Sequence, residues 1–116
     1  MIKCKNSDHP YTVFTEFIME FLTHLANEEI DEAEAMIDEQ GFCDFRERIE
    51  LGQEMETEFL NPIEEKNFAL HFYTPARDLG HDHTVEFYIP NTEMELDTAF
   101  EFEKVKGGYR THLVRL

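Results

Sequence analysis

Apolar residues near the start of the chain recur at spacings of one, three and four residues. The set is Val13, Phe14, Phe17, Ile18, Phe21, Leu22 and Leu25. A period near 3.6 residues predicts an amphipathic helix with one broad apolar face. We expect Asp8 to cap the N-terminus of this helix, Pro10 to lie in its first turn and Asn27 to interrupt it.

A second, shorter helix is predicted over residues 28–40, because the apolar residues of this stretch fall on one face. They are Ile30, Ala33, Met36 and Ile37. Acidic residues crowd the first turn and complement the helix dipole, and Gly41 is typical of a helix end. The two helices are expected to pack against each other as an antiparallel pair.

The stretch from residue 42 to residue 61 has a mixed pattern. Phe45 and Ile49 are four residues apart, as are Leu51 and Met55, and this spacing favours a helix. The two sets are out of register with each other, and a glycine lies inside the stretch, which opposes one continuous helix.

The hydrophobic period changes to two beyond residue 67. Alternating apolar and polar residues predict four strands, at residues 68–73, 84–89, 96–103 and 109–116. Gly107 and Gly108 precede the last strand, and a Gly-Gly pair can adopt the positive φ values that a two-residue hairpin turn needs.

Each predicted strand has one apolar face, and the apolar face of the first helix is the obvious cover for it. We therefore predict a single α+β domain over residues 1–116, with the N-terminal helical pair packed on an antiparallel sheet. The expected contacts join Phe14, Phe17, Phe21 and Leu25 to Phe68, Phe87, Phe100 or Phe102.

The composition is that of a folded domain with a very acidic surface. With 41% hydrophobic and 13% aromatic residues, the chain can form a core, which argues against intrinsic disorder. The formal net charge is −16, and 17 of the 26 acids lie between Glu16 and Glu65, alongside two of the ten bases, Arg46 and Arg48. Such a field favours a basic protein partner and disfavours nucleic acid or an anionic membrane surface.

Two cysteines, Cys4 and Cys43, are too few for the disulfide framework of a small secreted domain. We expect free thiols in a reducing compartment, with Cys4 in a frayed N-terminus. The N-terminal residues lack the apolar stretch of a signal peptide, and no apolar run approaches the ~18 residues of a membrane span. These features predict a cytoplasmic protein without a membrane partner.

Two long segments of the sequence carry a resemblance. FTEFIMEFLTHLANEEIDEAEAMIDEQ looks like an aromatic-rich opening helical pair, and ELDTAFEFEKVKGGYRTHLVRL is similar to a closing hairpin, of small bacterial members of the nuclear transport factor 2-like superfamily. The resemblance implies a cone-shaped α+β fold with a curved, mainly antiparallel sheet of four to six strands, of the kind found among toxin immunity proteins. A cystatin-like fold would give a similar pattern.

His81, Asp82 and His83 are neighbouring residues whose side chains suit zinc or nickel. Such sites need three or four ligands, and the spacing of the chain places no further ligand. We interpret this tripeptide as an exposed loop before a strand, and we predict neither a metal site nor a cofactor.

The resemblance also implies where catalytic residues would lie. Enzymes of the superfamily often place a His and an Asp inside the cone for general acid–base chemistry, and His71, Asp97 and His112 are the strand residues that would form such a pocket. The alternative is that these histidines lie on the outer face of the sheet and are inert. Because the chain lacks nucleophile and phosphate-loop motifs, we do not expect an enzyme.

The predicted second helix carries no Lys or Arg for the i,i+4 ion pairs of a solvated helix, so a basic partner would offset its charge. The predicted partner-binding residues are Glu28, Glu29, Asp31, Glu32, Glu34, Asp38 and Glu39. Three function classes follow. They are a module that binds a basic protein (for example an immunity protein that neutralises a basic toxin domain), a small-molecule or catalytic pocket, and a structural homodimer formed through the outer face of the sheet. The remaining interpretation is that the acids only confer solubility.

Overall fold

Three helices and six strands make up the described part of this computed structural model, which covers residues 1–5, 8–40, 44–54, 70–73, 83–89 and 96–115. The helices are α1 (Pro10–Ala26), α2 (Ile30–Ala35) and α3 (Phe45–Glu54). The strands are β1 (Ile2–Lys3), β2 (Glu39–Gln40), β3 (His71–Tyr73), β4 (His83–Ile89), β5 (Leu96–Val105) and β6 (Gly108–Arg115). The predicted α+β class is confirmed.

The strands form one open sheet in the order β1-β6-β5-β4-β3, with antiparallel neighbours throughout, and β2 adds to β6 in parallel. Phe100 at the centre of β5 pairs with Val85 of β4 and with Leu113 of β6. The four longer strands were predicted from alternation. The two-residue strands β1 and β2 were not, because two residues are too few to show a period.

Helix α1 lies on the sheet as predicted, through its aromatic residues. The ring of Phe14 stacks on that of Phe102 with centroids 4.2 Å apart, and the ring of Phe21 meets that of Phe100 edge-on at 5.1 Å. Phe17 contacts both strand rings, at 5.3 and 5.6 Å. Leu25 belongs to the same buried cluster, whereas Phe68 lies outside the described residues.

The N-terminal cap of α1 differs from the prediction. His9, not Asp8, is the N-cap residue, and its Nδ1 accepts a hydrogen bond from the backbone N–H of Tyr11 at 3.2 Å. The carboxylate of Asp8 instead accepts a hydrogen bond from the backbone N–H of Lys5 at 2.8 Å, and so its oxygen is used by the segment that follows β1.

Helix α1 ends in a Schellman motif that has a glutamate where glycine is usual. The N–H of Glu28 donates to the carbonyl of Leu25 at 3.1 Å, and the N–H of Glu29 donates to that of His24 at 2.8 Å. Glu28 has φ +60°, the left-handed conformation that this motif requires. Asn27 is the C-cap, so the predicted break at this residue is confirmed.

Helix α2 is shorter than predicted, ending at Ala35 instead of residue 40. The helix ends here because a residue of β6 forms hydrogen bonds with the backbone groups that follow Ala35. The hydroxyl of Thr111 donates to the carbonyl of Met36 at 2.8 Å, and the same oxygen accepts from the N–H of Asp38 at 3.0 Å. The chain then runs beside β6 as β2. Gly41, the predicted terminator, lies outside the described residues.

The β5–β6 hairpin turns at Lys106 and Gly107, and its two glycines have different tasks. Among the described glycines, Gly107 alone has positive φ, at +83°. Gly108 is needed because the backbone of β1 approaches it closely: a Cβ at this position would lie 1.7 Å from the carbonyl oxygen of Ile2. The expectation that both glycines supply positive φ was therefore wrong.

The N-terminus is part of the sheet. Ile2 pairs with Tyr109, and the N–H of Cys4 donates to the carbonyl of Gly107 at 3.0 Å. The thiol of Cys4 is half-buried against the core, so the expected frayed N-terminus is not what the structure has. Cys43 lies outside the described residues.

Candidate functional site

Three of the seven predicted partner-binding acids are paired with a basic side chain on a neighbouring helix. Arg46 of α3 donates to Glu34 at 2.9 Å and to the carboxylate of Asp31. These hydrogen bonds, with Glu34 contributing most, raise the pKa of the guanidinium above its ordinary value. Glu29 lies 3.2 Å from Nδ1 of His24. The sequence pattern of α2 alone could not reveal Arg46, which lies in another helix.

Two further predicted acids have contacts with the sheet. The carboxylate of Asp38 accepts hydrogen bonds from the terminal ammonium of Met1 at 2.6 Å and from the N–H of Thr111 at 2.8 Å. Burial by itself would raise the pKa of Asp38, but these hydrogen bonds together outweigh it and lower the pKa below its ordinary value. Glu39 lies 2.9 Å from the guanidinium of Arg110. Both residues therefore help to hold β1 and β2 beside β6.

The last two predicted acids, Glu28 and Glu32, are exposed and have no ion pair within the described part of the chain. Within the same described ranges, Glu16 of α1 shares this property, and Glu20 has only His24 as an ionic neighbour, at 3.7 Å. We call Glu16, Glu20, Glu28, Glu29 and Glu32 the helical acidic surface, since all five lie on α1, on α2 or on the corner between them.

This surface is acidic because of an asymmetry in the sequence. From residue 6 to residue 45 the chain contains 11 acids and no Lys or Arg. That stretch contains α1, the corner and α2. Exposed carboxylates so arranged create a local negative potential that attracts cations and repels anions.

A groove of about 720 Å³ runs beside α1, between this helix, β1 and the end of α2. Its apolar lining residues include Ile2, Val13, Phe17 and Met36, and we call these four residues the floor of the groove. Its volume is within the ~300–1,000 Å³ range of ligand-binding clefts. Sequence reasoning did not predict it, because β1 was not recognised as a strand and so had no assigned place beside α1.

The α1 wall of the groove is polar and acidic. Thr12, Glu16 and Glu20 line it at intervals of four residues, so they form one stripe along the helix, and Asp8 extends the stripe beyond the N-terminus. On the β1 side, Lys3 of β1 and Cys4, which follows the strand, line the groove. The spacing of the two glutamates was visible in the sequence, and the groove beside them was not.

The three residues of the predicted pocket are not brought together. His71 is exposed on β3 and pairs with Glu86, whereas His112 is on β6, three strands away, or about 14 Å at ordinary strand spacing. Both alternate with residues that face the core, so both lie on the outer face of the sheet. Asp97 is on β5 at the position that pairs with Tyr88 of β4.

His112 has acidic neighbours on both sides. Its Nδ1 lies 3.3 Å from the carboxylate of Glu101 on β5, and Glu39 pairs with it from β2. In β-sheets such directly opposed residues stabilise the pairing of strands. This arrangement indicates a structural contact between neighbouring strands on the outer face.

His83 packs among aromatic rings at the start of β4. Its ring centroid lies 5.1 Å from that of Phe14 and 6.2 Å from that of Tyr109. The exposed-loop interpretation was therefore wrong for His83, which is in a strand and half-buried. His81 and Asp82 lie outside the described residues, and within those described no three metal-ligating side chains form a group.

No protein-family model matches the chain, and no curated protein and no solved structure gives a significant match. In the described part of the chain, no helix has both the length and the apolar character needed to cross a membrane.

Proposed function

We propose that this protein is an acidic binding module that holds a basic protein partner on the side of the sheet covered by α1 and α2. The observation that carries the proposal is the helical acidic surface. Its carboxylates are exposed and, within the described residues, have His24 as their only basic neighbour. Like charges on one surface repel one another, and a basic partner would reduce that repulsion.

An immunity protein that covers a basic toxin domain in the cytoplasm is the form of this function that we propose. It is supported by the acidic surface and by the sequence resemblance to small nuclear transport factor 2-like domains, with a cystatin-like domain as the other candidate family. The six-stranded α+β architecture is compatible with that proposal. Charge complementarity of this kind increases association rates and excludes anionic partners.

The other two function classes have less support. An active site at His71 and His112 requires convergence, and two strands, β4 and β5, lie between the strands that carry these residues. A homodimer through the outer face requires an apolar surface there, because stable homodimer interfaces are rich in apolar area. Instead the described outer face carries many charged or polar side chains, including Glu86, Glu101, Glu103, Arg110 and His112.

The proposal is tested by co-expressing the protein with the basic products of genes adjacent to its own. A tagged protein is purified and analysed by size exclusion with light scattering. We expect a stoichiometric complex with one basic product. If every adjacent basic product elutes separately from this protein at low ionic strength, the immunity form of the proposal is wrong.

A further inference from the structure

We propose that the groove beside α1 is the docking site for a short basic segment of the partner, one that carries an apolar side chain next to two Lys or Arg residues. This inference rests on the proposed function and locates the binding of the partner in the groove. It concerns a different part of the chain from the seven acids predicted from sequence, because the groove is lined by Glu16 and Glu20 of α1 and by residues of β1.

The groove combines two properties that select such a segment. Its floor contains Ile2, Val13 and Met36, which are partly buried hydrophobic residues at the edge of the core. An apolar side chain placed on them would leave water, which is the main favourable term in most associations. A floor of this kind beside a charged wall fits a ligand that is both apolar and charged.

The two glutamates on the α1 wall determine the sign and the spacing of the charges that a bound segment should carry. Glu16 and Glu20 are both exposed, and neither pairs with a Lys or Arg in the described ranges. Four residues of helix separate them by ~6 Å along the axis. Alternate side chains of an extended peptide are spaced ~6.6 Å apart. Two cationic residues separated by one residue would therefore face the two carboxylates, and the apolar residue between them would point the opposite way, across the groove toward Ile2 of β1.

The size of the site limits the segment. Thr12 and Glu20 mark the part of the wall that α1 supplies, and eight residues of helix span ~12 Å. This distance corresponds to about four extended residues. Lys3 on the β1 side keeps negative charge confined to the α1 side, which favours one orientation of the bound segment.

The inference is tested by titrating the ¹⁵N-labelled protein with the synthetic peptide Gly-Ser-Lys-Leu-Lys-Ser-Gly at low salt and following backbone amide shifts. We expect saturable shifts centred on Thr12, Val13, Glu16 and Met36. The same peptide with Ser in place of Leu should bind about threefold more weakly, because it lacks the apolar contact.

Charge-reversed variants assign the binding to the groove. Glu16→Lys/Glu20→Lys should lower the affinity about tenfold, since each exposed ion pair contributes modestly and is replaced by repulsion. The matched control, Glu47→Lys/Glu103→Lys, changes the net charge equally, on α3 and on the outer face of the sheet, outside the groove. It should lower the affinity less than about twofold.

Three results would overturn the inference. Equal loss in both variants would mean that the peptide responds to overall charge, and the proposed function would stand without this groove. Tighter, groove-centred binding of spermidine than of the peptide would assign the groove to polyamines. Absence of saturable shifts would show that the groove is not a docking site. The proposed function would be wrong as well only if the co-expression test also fails.

Discussion

Asp38 and Thr111 hold each other through reciprocal hydrogen bonds. The carboxylate of Asp38 accepts from the N–H of Thr111 at 2.8 Å, and the hydroxyl of Thr111 accepts from the N–H of Asp38 at 3.0 Å. They are 73 residues apart in the chain, and Thr111 is fully buried. This pair fixes the end of α2 and the start of β2 against β6, and thereby positions one end of the groove.

Replacing Thr111 with Val keeps the shape of the side chain and removes its hydroxyl. The N–H of Asp38 and the carbonyl of Met36 would then lose a partner in a half-buried place, so we expect a loss of about 2 kcal/mol in the free energy of unfolding. Urea denaturation measures it. Thr111→Ser should lose less stability than Thr111→Val, because serine keeps the hydroxyl.

Thr23→Val is the control for this substitution. Among the residues that the structure describes, the hydroxyl of Thr23 bonds only to the carbonyl of Met19, one turn earlier in α1, at 2.7 Å. Its removal should cost less than about 1 kcal/mol. If the two Val variants are equally stable, the Thr111 hydroxyl is not the link that we describe.

Asp38 should make stability depend on pH in the acid range. Its pKa is lowered in the folded state, so its stabilising contribution is present above the ordinary aspartate pKa and is lost as the pH falls through the lowered value. Asp38→Asn should therefore be less stable than the native protein at pH 7, by about 2 kcal/mol. The gap should shrink below pH ~4. A gap that stays constant from pH 7 to pH 2.5 would contradict this role.

Gly108→Ala should detach β1 from the sheet. The new Cβ would overlap the carbonyl of Ile2, which is backbone and can move only if β1 moves. We expect a loss of about 2 kcal/mol and faster hydrogen exchange of the Cys4 amide, which bonds to Gly107. Lys106→Ala, in the same turn, should leave that exchange unchanged, and equal effects of both substitutions would argue against the close approach.

Glu28→Gly should stabilise the protein. A side chain in the left-handed conformation costs about 1–2 kcal/mol, and glycine avoids this cost while adding entropy to the unfolded chain, so a net gain of about 1 kcal/mol is expected. Glu28→Ala removes the same charge but keeps the Cβ. If alanine stabilises as much as glycine, the gain comes from charge and the backbone explanation is wrong.

The packing of α1 on the sheet was predictable from the sequence. The short strands β1 and β2, which pair with β6, were not. Phe14 and Phe102 could be assigned to facing apolar surfaces because both lie in long periodic segments. The contacts of Thr111 with Met36 and Asp38 leave no periodic signal, since they depend on two-residue strands and on groups far apart in the chain. The groove could not be predicted for the same reason, because β1 lines one side of it.

The partners of the acidic side chains could not be predicted from the sequence either. Sequence reasoning selected the acids of α2 and its flanks by their density, but density does not show which carboxylates already have a partner. Arg46 takes up Asp31 and Glu34 from another helix, whereas Glu28 and Glu32 keep their charge exposed.

The central claim is that the helical acidic surface attracts a basic protein, and the association rate measured against ionic strength tests it most directly. The basic protein is the one identified by co-expression, and the variants are Glu28→Lys/Glu32→Lys and the control Glu47→Lys/Glu103→Lys. We predict that the native rate falls steeply with added salt, because the Debye length shrinks to ~8 Å at 0.15 M. The Glu28 and Glu32 reversal should slow association at low salt about tenfold more than the control does. A flat salt profile, or equal rates for the native protein and the Glu28 and Glu32 reversal, would contradict the claim.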